Sequence, residues 1–348
     1  MTLQTVQILR LAFGVWAAIA VAYGVAWQLS YLAPLFATIF LVFPGWIGWK
    51  MATQLLMRLS YSLLLGLLIS ELLLDFPVIC ILVYGLLFFF IYYNDTPLAP
   101  PFAAMFMTIG ITIVPMMGLA GAGLPQFIAI SLFVNLGLGL VCAWIFHSLI
   151  PNSLAIQNIQ ASAGKKPAPP SLAPREERVR HALTSTIVAL TAIVIFFSLN
   201  LVAYAFAMLQ ICFMVGAPNA KGSAQALKHN AVACCIGGLA IIIVFNLLVA
   251  VPTYPFLLLL SLLCTLLFSR QIFSGTPMSK AYMSGLTTFL VLLGTSTTVE
   301  KVASINFYLR IAQILFAGLF AVAGLLLVGY LLHPDRKKFL SFSLQKSR

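Results

Sequence analysis

Two groups of polar side chains share one spacing in an otherwise apolar sequence. Each group has a lysine, a glutamine four residues later, and an arginine or histidine four residues after that. The members are Lys50, Gln54 and Arg58 in the first triad and Lys221, Gln225 and His229 in the second triad. Residues four apart lie on one face of a helix, so each triad predicts a stripe of positive or hydrogen-bonding groups. Such a stripe suits a small anionic substrate; the alternative is that the basic residues only anchor helix ends at a membrane surface.

Asp95 is the carboxylate that the sequence singles out for a separate role. It is one of seven acidic residues, and it lies between the apolar run 84–93 and the proline-rich segment 97–101. An ionisable group within a membrane is costly, which favours a function for it. One interpretation is a carboxylate that couples to a proton or cation, or pairs with Lys50 or Arg58. The other is a helix cap in a hydrated loop, and the sequence leaves both open.

Other kinds of chemistry find no support in the sequence. Neither GAGLPQ nor AGKKPAP continues into the lysine and hydroxyl residue of a nucleotide-binding P-loop. The few acidic residues do not supply paired carboxylates or a serine, histidine and aspartate triad. The six cysteines lie in apolar runs without a C-x-x-C pair, which is typical of small buried apolar residues. We therefore expect no enzyme activity and no cofactor.

The composition indicates a membrane protein. Of 348 residues, 62% are hydrophobic and 7% are charged, against about 25% charged in a soluble domain. Apolar runs of about 20 residues recur along the chain, and each is long enough to cross a hydrocarbon core about 30 Å thick as a helix. We therefore predict an all-α polytopic membrane protein with about twelve transmembrane helices. Their expected ranges are 8–28, 31–48, 52–73, 77–93, 100–119, 125–149, 180–200, 201–217, 224–250, 253–270, 279–299 and 305–332.

The basic residues predict the orientation of these spans. With the N-terminus in the cytoplasm, 17 of the 19 lysines and arginines lie on the cytoplasmic side, and only Lys301 and Arg310 lie outside. This bias predicts both termini in the cytoplasm. The net charge of +12 is then a topology signal with affinity for the anionic inner leaflet of the bilayer. It does not require a nucleic-acid partner.

The spans fall into two sets of six around a segment rich in Pro, Ala, Ser and charge, which is typical of a flexible linker. The predicted domains are a first six-helix repeat (1–150), a cytoplasmic linker (151–179), a second six-helix repeat (180–333) and a basic cytoplasmic tail (334–348). Shifting the sequence by 170 to 180 residues aligns Arg10 with Arg180, Gly66 with Gly237, and Thr96-Pro97 with Thr276-Pro277. An even number of spans gives both repeats the same orientation around a pseudo-twofold axis along the membrane normal. The two triads are then expected to face each other at the cytoplasmic mouth.

The first repeat carries motifs that resemble a known group of transporters. It contains LRLAFGVWAAIAVAYG, with Arg10 opening the first span, and LAPLFATIFLVFPGWIGWKMATQLLMRLSYSLLLG, with a basic residue eight positions before Arg58 and a glycine beyond it. These features resemble the fusaric acid resistance and aromatic acid exporter superfamily. The compact form with NDTPLAPPF and no large soluble domain looks most like the proteobacterial DUF2955 branch.

The resemblance implies a function and a location. It implies a bacterial inner-membrane efflux permease that exports small organic anions such as aromatic carboxylates, is driven by the proton motive force and works with a periplasmic adaptor of the membrane-fusion type. Plant malate channels are similar in their six-helix unit and act as paired subunits. In this interpretation the two triads bind the substrate, and Asp95 couples transport to a proton or cation or gates the pathway. A passive anion channel, a non-transporting membrane assembly subunit and a homo-oligomer stay open as alternatives.

Overall fold

The computed structural model describes residues 3–25, 29–96, 102–150, 174–216, 220–276, 278–298 and 303–332. These residues form α-helices and contain no strand, so the all-α prediction is confirmed for them. The helices in chain order are α1 (Leu3–Gly24), α2 (Leu32–Leu41), α3 (Trp49–Leu68), α4 (Pro77–Asn94), α5 (Ala103–Gly118), α6 (Leu124–Leu149), α7 (Arg175–Ser198), α8 (Ala205–Val215), α9 (Ala220–Ala250), α10 (Tyr254–Ile272), α11 (Ser279–Thr298) and α12 (Ala303–Leu332). Helix α3 continues into the π-helical turn Ile69–Leu73.

Six of these helices are long and apolar enough to cross a membrane by length and composition, which indicates a multi-pass membrane protein. They are α1, α3 with its π-helical turn, α4, α6, α7 and α10. Helices α2 and α8 are much shorter, with 10 and 11 residues. At a rise of 1.5 Å per residue they extend only about 15 Å, about half of a hydrocarbon core. The chain leaves the helical conformation after α2, and residues 42–48 connect it to α3 without helical structure.

Several helix breaks lie near the expected positions, but α2 ends at Leu41, seven residues before the expected end of the second span at residue 48. The split expected near Asn200 is present, because α7 ends at Ser198 and Asn200 has a left-handed φ of 50°. Helix α7 begins at Arg175, five residues before the expected start of the second repeat, since the charged end of the expected linker already forms its first turn. Residues 151–173 of that linker and the whole tail 334–348 lie outside the described residues.

The chain divides into two compact units. Unit 1 comprises Met1–Leu56, Ile130–Pro169 and Lys228–Ala312, and unit 2 comprises Met57–Ala129, Pro170–Leu227 and Gln313–Arg348. Each unit takes helices from both halves of the sequence. The predicted six-helix repeats and linker are segments of sequence, and they stay predictions.

Unit 1 is organised around α1, which packs along α10 and against α2. Helix α11 packs against α2 and α10 and completes the set. Side chains on both helices link α1 to α10 along their length. The amide of Gln4 donates to Phe273 O at 2.9 Å, the indole of Trp16 donates to Leu258 O at 3.0 Å, and the hydroxyl of Tyr254 donates to Ala20 O at 2.6 Å. These bonds fix the register of the two helices.

Unit 2 has a set of four helices with the same pattern of contacts. Helix α7 packs along α4 and against α8, and α5 packs against α4 and α8. Two buried tyrosines of α4 hold this set together, because the hydroxyl of Tyr84 donates to Ile111 O and that of Tyr92 donates to Cys212 O, both at 2.8 Å. Phe88 stacks between their rings. The aromatic face of α4 is therefore part of the core of unit 2.

Each unit contains a crossing where two helix backbones touch through glycines. In unit 2, a Cβ added to Gly66 of α3 would clash with the carbonyl oxygen of Gly110 in α5. In unit 1, a Cβ added to Gly237 of α9 would clash with the carbonyl oxygen of Gly285 in α11. Small residues are typical of close helix crossings in membranes, because association there depends on packing contacts. Gly66 and Gly237 are the pair that the shifted sequence aligns.

Candidate functional site

The corner between α2 and α3 in unit 1, residues 42–48, is held by a buried arginine. Arg10 lies seven residues into α1, about 10 Å from its start, and only 1% of its side chain is exposed. Its guanidinium donates to Phe43 O at 2.5 Å and to Pro44 O at 3.2 Å. Both carbonyls lie beyond the end of α2 at Leu41, and the guanidinium N–H groups of Arg10 donate to them.

Helix α6 closes the same corner with a histidine and aromatic rings. His147 is buried, with Nδ1 2.8 Å from Ala143 O and Nε2 3.4 Å from Phe43 O. Its ring lies 6.2 Å from that of Trp46, measured between centroids. Trp49 lies 5.5 Å from Trp46 and 5.4 Å from Trp144. We call Arg10, Trp46, Trp49, Trp144 and His147 the corner cluster.

Two N–H donors of the corner cluster are buried without a hydrogen-bond partner. They are Nε of Arg10 and Nε1 of Trp46. A buried donor that loses its water partners costs about 1–3 kcal/mol unless another group accepts from it. The corner cluster therefore has unused capacity to bind an acceptor, and a carboxylate oxygen matches it in charge.

The charges of unit 1 are of one sign. Its described residues include no aspartate or glutamate, and its one acidic residue in the sequence, Glu300, lies outside the described residues. Arg10 is buried, and Lys50 lies exposed in the first turn of α3. The guanidinium of Arg10 therefore has carbonyl dipoles as its described acceptors and no described carboxylate in its unit.

The first triad lies on one helix, as its spacing predicts. All three residues belong to α3, where Lys50 and Gln54 are exposed and Arg58 is half-buried. Lys221, Gln225 and His229 of the second triad belong to α9, but their side chains lie outside the described residues. Whether either triad binds a substrate stays a prediction, and so does their meeting at one mouth.

Asp95 ends α4 in unit 2. It is exposed, and its backbone leaves the helix with φ −76° and ψ 82°. Although the side chain is exposed, neighbouring atoms remove part of the hydration of its carboxyl, which raises its pKa above the ordinary value of 3.8, while the nearby His181 of α7 lowers it. Tyr93 lies two residues before Asp95 in α4. The guanidinium of Arg178 in α7 lies 4.5 Å from the centroid of the Tyr93 ring and donates to Tyr93 O at 3.1 Å. The end of α4 is thus tied to the first turns of α7.

A pH titration tests the environment of Asp95. A raised pKa means that the folded state binds the proton more tightly than the unfolded state, so folding stability falls as pH rises through the range above 3.8. Asp95→Asn removes this penalty. We expect the variant to be more stable than the wild type at pH 7, and the difference to shrink as pH falls towards 4. Thermal unfolding in detergent measures it, with Asp75→Asn as the control for loss of a charge; a constant difference across pH would contradict the assignment.

The sequence did not identify the corner cluster as a site. Arg10 was interpreted as a topology signal and a repeat marker, and Trp46 and His147 had no role. An arginine within an apolar run, seven residues before the alanine-rich part of the span, was the available signal. Its aligned partner Arg180 differs in structure: it is exposed and lines an open groove of about 540 Å³ on α7.

A family model matches part of the chain. No curated protein and no solved structure matches the chain. Residues 7–146, which include most of α1, all of α2 to α5 and most of α6, match the model of a family described as a protein of unknown function, DUF2955. This match covers the segment with Arg10, Trp46 and the first triad. The expected DUF2955-like resemblance is therefore confirmed over residues 7–146, within a chain whose apolar helices indicate a multi-pass membrane protein.

Proposed function

We propose that this protein is a bacterial inner-membrane efflux permease that exports small organic anions of the aromatic-carboxylate type. The observation that carries the proposal is the charge of unit 1, in which the described ionisable side chains include the buried Arg10 and the exposed Lys50 but no carboxylate. A cation taken out of water without an anionic partner is costly, by several kcal/mol per ion. An anionic substrate supplies the missing partner, whereas a cationic substrate would raise the cost.

The proposal assigns α3 to the entry side. Lys50 and Gln54 are exposed and attract an anion through the field of a positive helix face, and Arg58 is half-buried one turn further on. The second triad has the same sequence spacing on α9 and would offer a second set of donors. Anchoring alone explains the sign of these charges but does not require the intervening glutamine or its repetition.

Asp95 is proposed as the coupling or gating group. A carboxyl with a raised pKa picks up a proton closer to neutral pH than an ordinary aspartate, which suits a group that responds to a proton gradient. Its neighbours at the end of α4 connect it to α7, so its charge state acts on the packing of two helices of unit 2. The proposal also includes a periplasmic adaptor as partner and no enzymatic activity.

We also propose twelve crossings in two repeats with both termini in the cytoplasm. Three features support the duplication. The set α1, α2, α10 and α11 in unit 1 has the same contact pattern as α7, α8, α4 and α5 in unit 2. The crossing through Gly237 in unit 1 corresponds to the crossing through Gly66 in unit 2. The carbonyls of Tyr93 and Phe273 align at a shift of 180, and each accepts a hydrogen bond from the first helix of the other repeat.

An export assay tests the function. Cells that express the protein are loaded with 4-hydroxybenzoate, and its efflux is compared between wild type, Lys50→Ala and Asp95→Asn, with Lys280→Ala as the matched exposed control. We expect Lys50→Ala to lower efflux about two- to fivefold, the size of a lost exposed charge interaction. We expect Asp95→Asn to abolish the dependence of efflux on the proton gradient, and we expect Lys280→Ala to leave efflux unchanged.

Three outcomes would contradict parts of the proposal. Unchanged efflux in both variants would remove the assignment of these residues and the function with it. Efflux that persists after the proton gradient is collapsed would favour a passive anion channel. No efflux above that of cells without the protein would favour the assembly subunit.

A further inference from the structure

We propose that the corner cluster of unit 1 is a binding site for the carboxylate of a planar aromatic monoanion. In this site the N–H groups of Arg10 Nε and Trp46 Nε1 donate to the carboxylate, and the indole rings of the cluster pack on the aromatic ring of the ligand. This inference rests on the proposed function for the class of substrate. It adds a site that the polar triads do not include.

The first argument is the charge of Arg10. The guanidinium is 1% exposed and has two backbone carbonyls as hydrogen-bond acceptors. Carbonyl dipoles satisfy two of its N–H groups but do not neutralise its charge, and the described part of unit 1 contains no carboxylate. A bound monoanion would balance one positive charge, whereas a dianion would leave a net negative charge in the corner. The charge therefore favours a monocarboxylate.

The second argument is the pair of unused donors. Nε of Arg10 and Nε1 of Trp46 are both buried without a hydrogen-bond partner. They belong to one cluster, because Arg10 and His147 share the carbonyl of Phe43, and the ring of His147 lies 6.2 Å from that of Trp46. A carboxylate has two acceptor oxygens and is able to accept from two such donors at once.

The third argument is the aromatic content of the corner. The rings of Trp46, Trp49 and Trp144 form a continuous series with centroids 5.5 and 5.4 Å apart. Aromatic pairs at such distances prefer edge-to-face or offset geometries and stabilise each other by about 0.5–1.5 kcal/mol. A planar ring attached to the carboxylate finds suitable partners here, so the site favours an aromatic acid over a small aliphatic acid.

The fourth argument is access. Both donor atoms are buried, so a ligand reaches them only after a movement, and we assign that movement to residues 42–48, the segment that carries Trp46. This segment is non-helical, and Gly45 and Gly48 within it have open space where a side chain would lie. Gly48 has a φ of 81°, and α3 begins at the next residue, so the positive end of its helix dipole adjoins the corner. An anion that enters from this side meets Lys50 first, since Lys50 is exposed in the first turn.

Binding to the purified protein tests the site separately from export. The probe is benzoate, with the neutral benzyl alcohol as its matched control, and the measurements are calorimetry and thermal unfolding in detergent. The decisive variant is Trp46→Phe, which keeps a ring and removes the donor. Its control is Trp16→Phe, because the indole N–H of Trp16 already donates to Leu258 O.

We expect benzoate to bind the wild type and to raise its unfolding temperature, while benzyl alcohol does neither. Trp46→Phe should weaken benzoate binding about tenfold, the cost of one hydrogen bond to a charged group, and Trp16→Phe should leave it unchanged. Equal binding of benzoate by wild type and Trp46→Phe would overturn the site, and so would equal binding of benzoate and benzyl alcohol.

The results also separate the site from the proposed function. Export by cells together with unchanged binding in Trp46→Phe would reject the site and keep the function. Binding that depends on Trp46 without export by cells would support the site and reject the permease.

Discussion

Replacing Gly66 by alanine is expected to destabilise the protein strongly, whereas the same replacement at Gly85 is expected to stabilise it slightly. A Cβ at Gly66 would clash with the carbonyl oxygen of Gly110, a backbone atom that cannot rotate away. From the other side, a Cβ at Gly110 would lie 2.5 Å from the backbone carbon of Ser62 and 2.7 Å from the nitrogen of Leu63. The two helices must therefore separate to admit one methyl group.

The size of the effect follows from the competing contributions. Overpacking a tight contact costs about 1–3 kcal/mol, and here the upper end applies because both partners are backbone. The better helix propensity of alanine offsets only about 0.5–1 kcal/mol of it. Separation of α3 from α5 also breaks the bond from Ser62 Oγ to Phe106 O, which is 2.9 Å long. We expect the unfolding temperature to fall by about 5 °C or more.

Thermal unfolding of the purified protein in detergent measures the difference. At Gly85 of α4 a Cβ would meet its nearest atom, Leu190 Cδ2, at an ordinary 3.9 Å, so only the gain in helix propensity remains. Gly237→Ala extends the test to unit 1, where the Cβ would also lie 3.1 Å from Phe289 N. If Gly66→Ala were as stable as Gly85→Ala, the close crossing of α3 and α5 would be wrong.

The glycine crossings also show how far the sequence leads. Some helix ends were predictable because they depend on local chemistry: Asn200 adopts a left-handed φ, and Pro77 opens α4 at its first turn. The early end of α2 at Leu41 was not. The sequence showed that Gly66 aligns with Gly237, but it did not show that each glycine lies at a close helix crossing. Only the structure brings Gly110 and Gly285 to these positions, because they lie on helices far away in the chain.

The pairing of helices within each unit was not predictable for the same physical reason. Apolar spans are equally suited to many neighbours, so hydropathy does not specify which helices meet. The partner of α1 is α10, on the other side of the linker, and the bonds that fix this pair come from Gln4, Trp16 and Tyr254. Each of these side chains donates to a backbone carbonyl far away in the chain, and no sequence pattern connects the donor to its acceptor.

The candidate site was predictable in part. Spacing placed Lys50, Gln54 and Arg58 together on α3, because a helical period requires no tertiary information. It could not place Arg10 in the corner cluster, since a basic residue near the start of a span is usually assigned to the membrane surface. The structure shows that Arg10 is buried and bonds the carbonyls of Phe43 and Pro44, which follow the short α2.

Arg10→Leu is expected to release the corner between α2 and α3. The substitution removes two charge-assisted bonds to Phe43 O and Pro44 O, each of which contributes about 1.5–3 kcal/mol when formed by a charged donor. Amide hydrogen exchange of residues 45–50, followed by mass spectrometry, should therefore become at least about tenfold faster. Arg270→Leu, which removes an exposed arginine from the end of α10, is the matched control and should leave this exchange unchanged.

The overall stability of Arg10→Leu should change less than its local exchange, and this contrast identifies the role of the arginine. Leucine loses the two bonds but also removes a buried charge, and the desolvation cost of a guanidinium is several kcal/mol. The two contributions oppose each other in the unfolding temperature, whereas only the lost bonds act on the corner. Unchanged exchange would mean that His147 and the aromatic rings hold residues 42–48 without Arg10. Faster exchange with a nearly unchanged unfolding temperature would mean that the charge is kept at a cost to stability, as expected of a residue that binds an anion.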